Sequence, residues 1–211
     1  DLLALDVGPR MRCQIACDEH QAGPAPFAVD QVGGREHERP AKRLIGYLPE
    51  NAPGYADMTV YGFLGFAADL RGLTGESRKK AIFKAVETCF LEGVLYQTID
   101  TLSKGYKHRT CLAQSIIHDP DILILDEPTA GLDPLAAANV DQLIRQLSVE
   151  QGVTSIVVSH DLRSIFTVAD RIALIYQGEV KLDGTPQDFK STDDPVVRQF
   201  IRGLAEGPMI L

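Results

Sequence analysis

Asp126 and Glu127 stand side by side after four consecutive aliphatic residues, Ile122-Leu123-Ile124-Leu125. Such a run suits a strand buried on both faces, and ligands of open α/β sheets bind beyond the carboxyl ends of such strands. Two carboxylates at that place suit phosphoryl transfer to water. One holds magnesium, commonly through water, and the second orients or deprotonates the attacking water. Asp126 fits the first role and Glu127 the second. Upstream, Ser103 and Gly105 open a helical segment, where a hydroxyl, backbone amides and the positive helix end can bind a phosphate.

These residues need strands and helices to bring them together. Leu44 to Pro49 reads as a short strand ended by proline. Thr59 can cap a helix that carries Phe63, Phe66, Ala67 and Leu70 on one face. A second helix carries Ile82, Val86, Cys89 and Phe90 as its stripe, and a third runs from Ser103 towards Ile117. Three helices between two strands imply a helical subdomain. Strand and helix then alternate: strand 122–125, helix 136–149 with Val140, Leu143, Ile144 and Leu147 inward, strand 154–158 and helix 162–169. That is the rhythm of a parallel sheet. Ile172 to Tyr176 and Glu179 to Leu182, joined by Gln177-Gly178, read as a hairpin, after which Asp183-Gly184 turns the chain outward. Residues 1–43, broken by Gly-Pro and Gly-Gly, show little periodicity and fit no element.

The bulk properties narrow the class. A chain of 211 residues with 45% hydrophobic content can bury one good core. Its formal charge of −8 argues against a nucleic-acid backbone as partner. Cys13, Cys17, Cys89 and Cys111 form no C-x-x-C pair, so a reducing cytosol is expected rather than a disulfide framework or a metal site. No apolar run reaches the length of a membrane span, so a membrane role is expected to come through a partner. The chain opens with Asp1 rather than Met, which leads us to expect a fragment.

Leu102-Ser103-Lys104-Gly105-Tyr106 followed by Ile122 to Pro128 resembles the signature motif and Walker B strand of ABC transporter ATPases. The resemblance implies an α/β P-loop NTPase (RecA-like) core with an inserted helical subdomain, ATP and Mg2+ as ligands, and a membrane permease as partner. It implies that Ser103, Lys104, Gly105, Tyr106 and Asp133 contact nucleotide, the signature acting on ATP held by the opposite subunit of a homo- or heterodimer. His160, separated from the strand 154–158 by one residue, is similar to the family's switch histidine and joins Glu127 as catalytic. Glu50 stands where the family usually has a magnesium-sensing glutamine, and joins Asp126 as a metal residue. The protein would lie in the cytoplasm, peripheral on the inner face of the membrane.

The resemblance changes along the chain. From about Leu44 to Pro134 it is to gliding-motility-type (GldA-like) ATPases of ABC-2 exporters, carried by Ile45 to Asn51, Thr88 to Leu91 and Thr101 to Leu112. From about Gly152 it is to Mla-type phospholipid-transporter ATPases, carried by Val153 to Asp161 and the tail Asp193 to Pro208. A recombinant or misassembled gene is one reading of this change. The expected organisation is an atypical segment 1–43, an ATPase domain 44–190 with the helical subdomain about 54–117, and a tail 191–211. In the tail, Val196, Val197, Phe200 and Ile201 form an apolar stripe for a partner subunit or for the chain's own core.

One expected motif is missing. A phosphate loop G-x-x-x-x-G-K-[ST] should precede the other motifs, and residues 1–43 do not spell it. Gly8-Pro9 is the nearest echo, and Arg10-Met11-Arg12-Cys13 follows it. An arginine does not replace the loop's compact ammonium. Three readings follow: a truncated, frameshifted or chimeric ATP-binding subunit without intrinsic hydrolysis, a degenerate subunit that lends Ser103 and Gly105 to a complete partner, and a regulatory protein on the same scaffold.

Overall fold

The computed structural model describes residues 12–16, 43–51 and 55–210. Six strands form one sheet in the order β2-β3-β4-β1-β5-β6, where β1 is Arg12–Ala16, β2 Ile45–Leu48, β3 Ile122–Asp126, β4 Thr154–Val158, β5 Arg171–Tyr176 and β6 Glu179–Gly184. All neighbouring pairs are parallel except β5 with β6. Helices α1 (Val60–Leu70), α2 (Gly75–Thr88) and α3 (Lys104–Ile116) lie between β2 and β3 in the chain. Then α4 (Pro134–Gln151) joins β3 to β4, α5 (Leu162–Val168) joins β4 to β5, and α6 (Pro186–Ser191) and α7 (Pro195–Arg202) close the chain.

Parallel strands of this order send their carboxyl ends to one edge. Leu48 pairs with Leu125, and Asp126 with Val158. The strand β1, which the sequence did not disclose, is inserted between β4 and β5 with Gln14 opposite Val158 and Ala16 opposite Ile175. The carboxyl end of β1 at Ala16 therefore lies at the edge that carries Asp126 and His160. Gly8-Pro9 precedes β1 and lies outside the described residues. Of the sequence that follows this echo, Arg12 and Cys13 are strand, so the echo is on the wrong side of β1 for a loop that should follow it.

The helices differ from the sequence expectation where tertiary contacts override periodicity. On α1 the buried side chains are Val60, Phe63, Leu64, Ala67 and Ala68, whereas Leu70 is 71% exposed, because the buried face is rotated towards α2 and α3. Its first turn is tied down by Thr59 Oγ1, which accepts from Gly62 N–H, and by Val60 and Tyr61 N–H donating to the carbonyls of Gln97 and Leu95. α2 ends at Thr88, before the full expected stripe. Cys89 is buried, but Phe90 takes a left-handed φ of 53° and is 56% exposed. β3 buries Leu123 and Leu125 fully and its other face only in part. β6 continues through Asp183 and Gly184, so the chain turns at Thr185, which caps α6. Gln177 and Gly178, both with positive φ, make the hairpin turn as expected. In the tail, Val197 is buried in the chain's own core with Phe200 and Ile201 partly buried against it, while Val196, the fourth residue of that stripe, stands outside the cluster.

Gly46 fixes the distance between β2 and the helices above it. A methyl group there would collide with the Ser115 carbonyl oxygen of α3 and press on Leu123 Cδ1 at 3.0 Å and Pro120 Cγ at 3.1 Å. Backbone cannot yield as a side-chain tip does. Gly46→Ala is therefore expected to destabilise the fold by about 2 kcal/mol, read as a lower urea midpoint with an unchanged m-value.

Candidate functional site

The site begins with a backbone contact. Glu127 N–H donates to the Val158 carbonyl at 2.8 Å, so the residue after β3 stays clamped to the end of β4. Glu127 holds a left-handed φ of 46°, a conformation that costs a non-glycine residue about 1–3 kcal/mol and persists when its surroundings enforce it. Its carboxylate supplies that enforcement. Oε2 accepts from Ser159 Oγ at 3.0 Å, and Oε1 accepts from the backbone N–H of His160 at 3.0 Å and from the His160 Nδ1–H at 2.7 Å. The Glu127 side chain is 15% exposed and that of His160 is 70% exposed. The pair thus consists of a largely buried carboxylate and a histidine at the surface.

Asp126 and Glu50 share this edge. Burial raises the Asp126 carboxyl pKa above the usual carboxylate range, and the charges of Glu50 and Glu127 raise it further. This is the electrostatic condition that a bound cation relieves. Among the described residues no three His, Cys, Asp or Glu side chains could hold a metal ion alone. An octahedral Mg2+ at Asp126 would therefore draw most of its ligands from water and phosphate oxygens, as that ion commonly does. The carboxylates fit magnesium in this way.

On the other side of the loop after β3, the start of α3 faces the start of α4. Ser103 is the N-cap of α3, its Oγ accepting from Tyr106 N–H at 3.4 Å. Asp133 caps α4, its Oδ1 accepting from Leu135 and Ala136 N–H at 3.0 Å each. Between them is a groove of about 300 Å³, lined among others by Ser103, Gly105, Tyr106, Arg109, Asp133 and Asn139. The Arg109 guanidinium stands 5.0 Å from the centre of the Tyr106 ring. Lys104 reaches across to Gly131, whose φ of 61° and missing Cβ leave room for the ammonium. The expected residues therefore fall into two groups: Glu50, Asp126, Glu127 and His160 at the sheet edge, and Ser103, Lys104, Gly105, Tyr106 and Asp133 around the groove.

Sequence reasoning missed the side chains that join these groups. Ser159, only 1% exposed, donates to Glu127 and accepts from Asp161 N–H at 3.1 Å. Its signal was its phase, since Ser155, Val157 and Ser159 continue the buried face of β4. His108 of α3 is buried and donates Nδ1–H to the Pro128 carbonyl at 2.9 Å, which pins α3 to the loop after Glu127. Burial and the nearby Lys104 lower its pKa, while the bond to Pro128 works the other way. A histidine one turn into a helix carries no sequence signal for this. Cys89 and Cys111 are buried free thiols, Cys111 pushed up to about 12 by burial, so both stay protonated.

Comparison with known proteins gives this geometry its context. The ABC transporter family model matches residues 14–130. The probable multidrug ABC transporter ATP-binding protein YbhF of Escherichia coli is 34% identical over 171 residues, covering 78% of this chain and 29% of YbhF. The linearmycin resistance ATP-binding protein LnrL of Bacillus subtilis is 32% identical over 181 residues, covering 85% of this chain and 58% of LnrL. The chain thus spans less than two thirds of the length of either relative. The structure of cbiO1 from Clostridium perfringens, described as part of the ABC transporter complex cbiONQ, superposes with a TM-score of 0.77 at 22% identity, covering 93% of this chain and 85% of that one. At that identity the likeness concerns the fold.

The charge cluster has a measurable cost. The Asp126 pKa is higher in the folded chain than in the unfolded one, so below the unfolded value of about 3.9 both states are protonated and the residue is neutral for stability. As pH rises through the window between the two values, the folded state loses stability. Asp126→Asn is therefore expected to raise Tm at pH 7 and to leave it unchanged at pH 3, as measured by calorimetry without nucleotide or metal.

Proposed function

The chain belongs to the ABC transporter family of ATP-binding proteins, and on that premise we propose that it is the ATP-binding subunit of a membrane transporter, coupling ATP binding and hydrolysis to a permease. One observation carries the reading: a shielded carboxylate, Glu127, is held by Ser159 and His160 beside Asp126 at the carboxyl edge of the parallel sheet. ATP supplies a γ-phosphoryl group for transfer to water. Asp126, with Glu50 nearby, would hold Mg2+, which would supply positive charge against the phosphates. Glu127 orients the attacking water and takes its proton, and His160 and Ser159 fix the direction of that carboxylate. Ser103, Lys104, Gly105 and Tyr106, with Asp133 across the groove, meet the phosphates of ATP bound to a facing subunit, where the α3 N-terminus favours negative charge.

The residues assigned to these roles lie within 44–190, whose helical subdomain of about 54–117 presents α1 to α3; β1 at Arg12–Ala16 joins the same sheet from the segment expected to stand outside the domain, and the tail 191–211 follows. Among the described residues no helix is long and apolar enough to cross a membrane; the proposed place of the chain is at the inner face of the membrane, against the permease. Its residues from 44 to 134 favour an ABC-2 exporter permease and the tail an Mla-type lipid transporter. The cargo is chosen by that permease.

A second reading has its own support. The sequence that follows Ala16, Cys17-Asp18-Glu19-His20, lacks the glycines, lysine and serine or threonine of a phosphate loop. In this reading the chain lends the Ser103–Tyr106 face to ATP held by a partner with an intact loop, and its own half-site stays empty.

Equilibrium titration with Mg-ATP separates the two. If the chain holds its own nucleotide, it binds at up to millimolar ATP, and Asp126→Ala weakens binding by about tenfold or more, a loss of about 1.4 kcal/mol. If it is a lending subunit, the chain alone binds none, and mixing it with a cassette that carries the loop gives one ATP per pair, lost with Ser103→Arg. Absence of nucleotide binding in both formats overturns the proposal.

A further inference from the structure

Asp141 lies two turns into α4, on the helix whose first turns line the groove, and is only 4% exposed. A carboxylate at that depth is costly unless polar groups surround it. Here the Ser164 hydroxyl of α5 donates to Oδ2 at 2.9 Å, and Oδ1 has no hydrogen-bond partner among the described residues. Leucine or alanine would be cheaper at this position on stability alone.

The Ser164 hydroxyl has two other neighbours. Thr129 Oγ1, two residues past Glu127, is 3.2 Å away, and Asp161 Oδ2, the residue after His160, is 3.3 Å away. A serine hydroxyl has one proton, so it serves Asp141 or Asp161 at any moment, while Thr129 donates into its lone pair. Asp161 has other work. Its Oδ1 caps α5 by accepting from Arg163 N–H at 2.9 Å and Ser164 N–H at 3.4 Å, and its own N–H donates to Ser159 Oγ at 3.1 Å. Ser159 is the hydroxyl that donates to Glu127. A continuous path of hydrogen bonds therefore runs from Asp141 through Ser164 and Asp161 to Ser159 and Glu127.

The geometry points to Asp141 as a positioning residue for the Glu127–His160 pair: by taking the Ser164 proton, it leaves Asp161 to the α5 cap and keeps Ser159 and His160 in register on the Glu127 carboxylate. The consequence for hydrolysis rests on the function proposed above; the contacts do not. Without Asp141 the Ser164 proton turns to Asp161 Oδ2 and draws that carboxylate out of the cap. The turn that carries Ser159 and His160 then loosens.

The test is the nitrogen-15 spectrum of the His160 ring in nucleotide-free protein, which reports how much of the ring holds its proton on Nδ1, facing Glu127. Asp141→Ala, and Asp141→Leu, which replaces the buried charge with a side chain of similar bulk and so keeps the fold, are expected to cut the Nδ1–H share by about twofold. Asp141→Asn, which still offers Ser164 an acceptor, is expected to retain it. In a Ser164→Ala background, Asp141→Leu is expected to change nothing, because no proton is left to redirect. Unchanged His160 resonances in a folded Asp141→Leu protein overturn the inference, as does an equal change with Ser164 absent. Because no nucleotide enters the measurement, a chain that fails to bind ATP leaves this result standing.

Discussion

Glu127 is shielded next to a second carboxylate, and its surroundings have to supply what water no longer does. The parallel pairing of β3 with β4 meets that constraint. It sets the Val158 carbonyl opposite the Glu127 amide and brings Ser159 and His160 to the carboxylate oxygens. A one-residue slip in this register would turn Asp126 and every side chain of β3 to the other face and leave Glu127 without donors. The positive φ at Glu127 follows from the same clamp, since the backbone has to bend sharply to hold an amide on one strand and a carboxylate on the next turn.

The helices extend this constraint outward. α3 is pinned to the loop after Glu127 through His108 and Pro128, and α4 begins at the end of that loop with Asp133 as its cap. The facing N-termini of α3 and α4 therefore sit at a set distance from the sheet edge, with Lys104 lying over Gly131 between them. Each helix end pairs its orphan amides with a side chain, Ser103 on α3 and Asp133 on α4. Groove and carboxylate edge are thus joined by one loop of seven residues, 127–133, between Asp126 of β3 and Pro134 of α4.

Membership of the ABC transporter family and the sequence after β1 pull in different directions. The family match begins at Gln14, inside β1, and the relatives are ATP-binding proteins. Yet the residues that follow Ala16 do not spell a phosphate loop. Among the described residues, the contacts that hold Glu127 and cap α3 and α4 come from β4, the turn after it and the two helix starts.

Much of the site could be read from residue types and order. Four aliphatics before Asp126-Glu127, a serine before a helix, and a histidine just past a β-branched strand are local patterns, and local patterns carry local chemistry. The three helices and the four strands from β3 to β6 followed from periodicity for the same reason. Where reading failed, the deciding contacts were distant in sequence. Leu70 and Phe90 fit a helical stripe, but the direction in which α1 buries its face and the place where α2 stops depend on packing among helices. β1 lacks a pattern of its own and is a strand because β4 and β5 flank it with unpaired edges. Ser159, His108, Asp141 and Ser164 look ordinary in the chain. They become part of the site only because folding buries a carboxylate and a carbonyl beside them, and a buried polar group takes whatever partner the tertiary structure brings within reach.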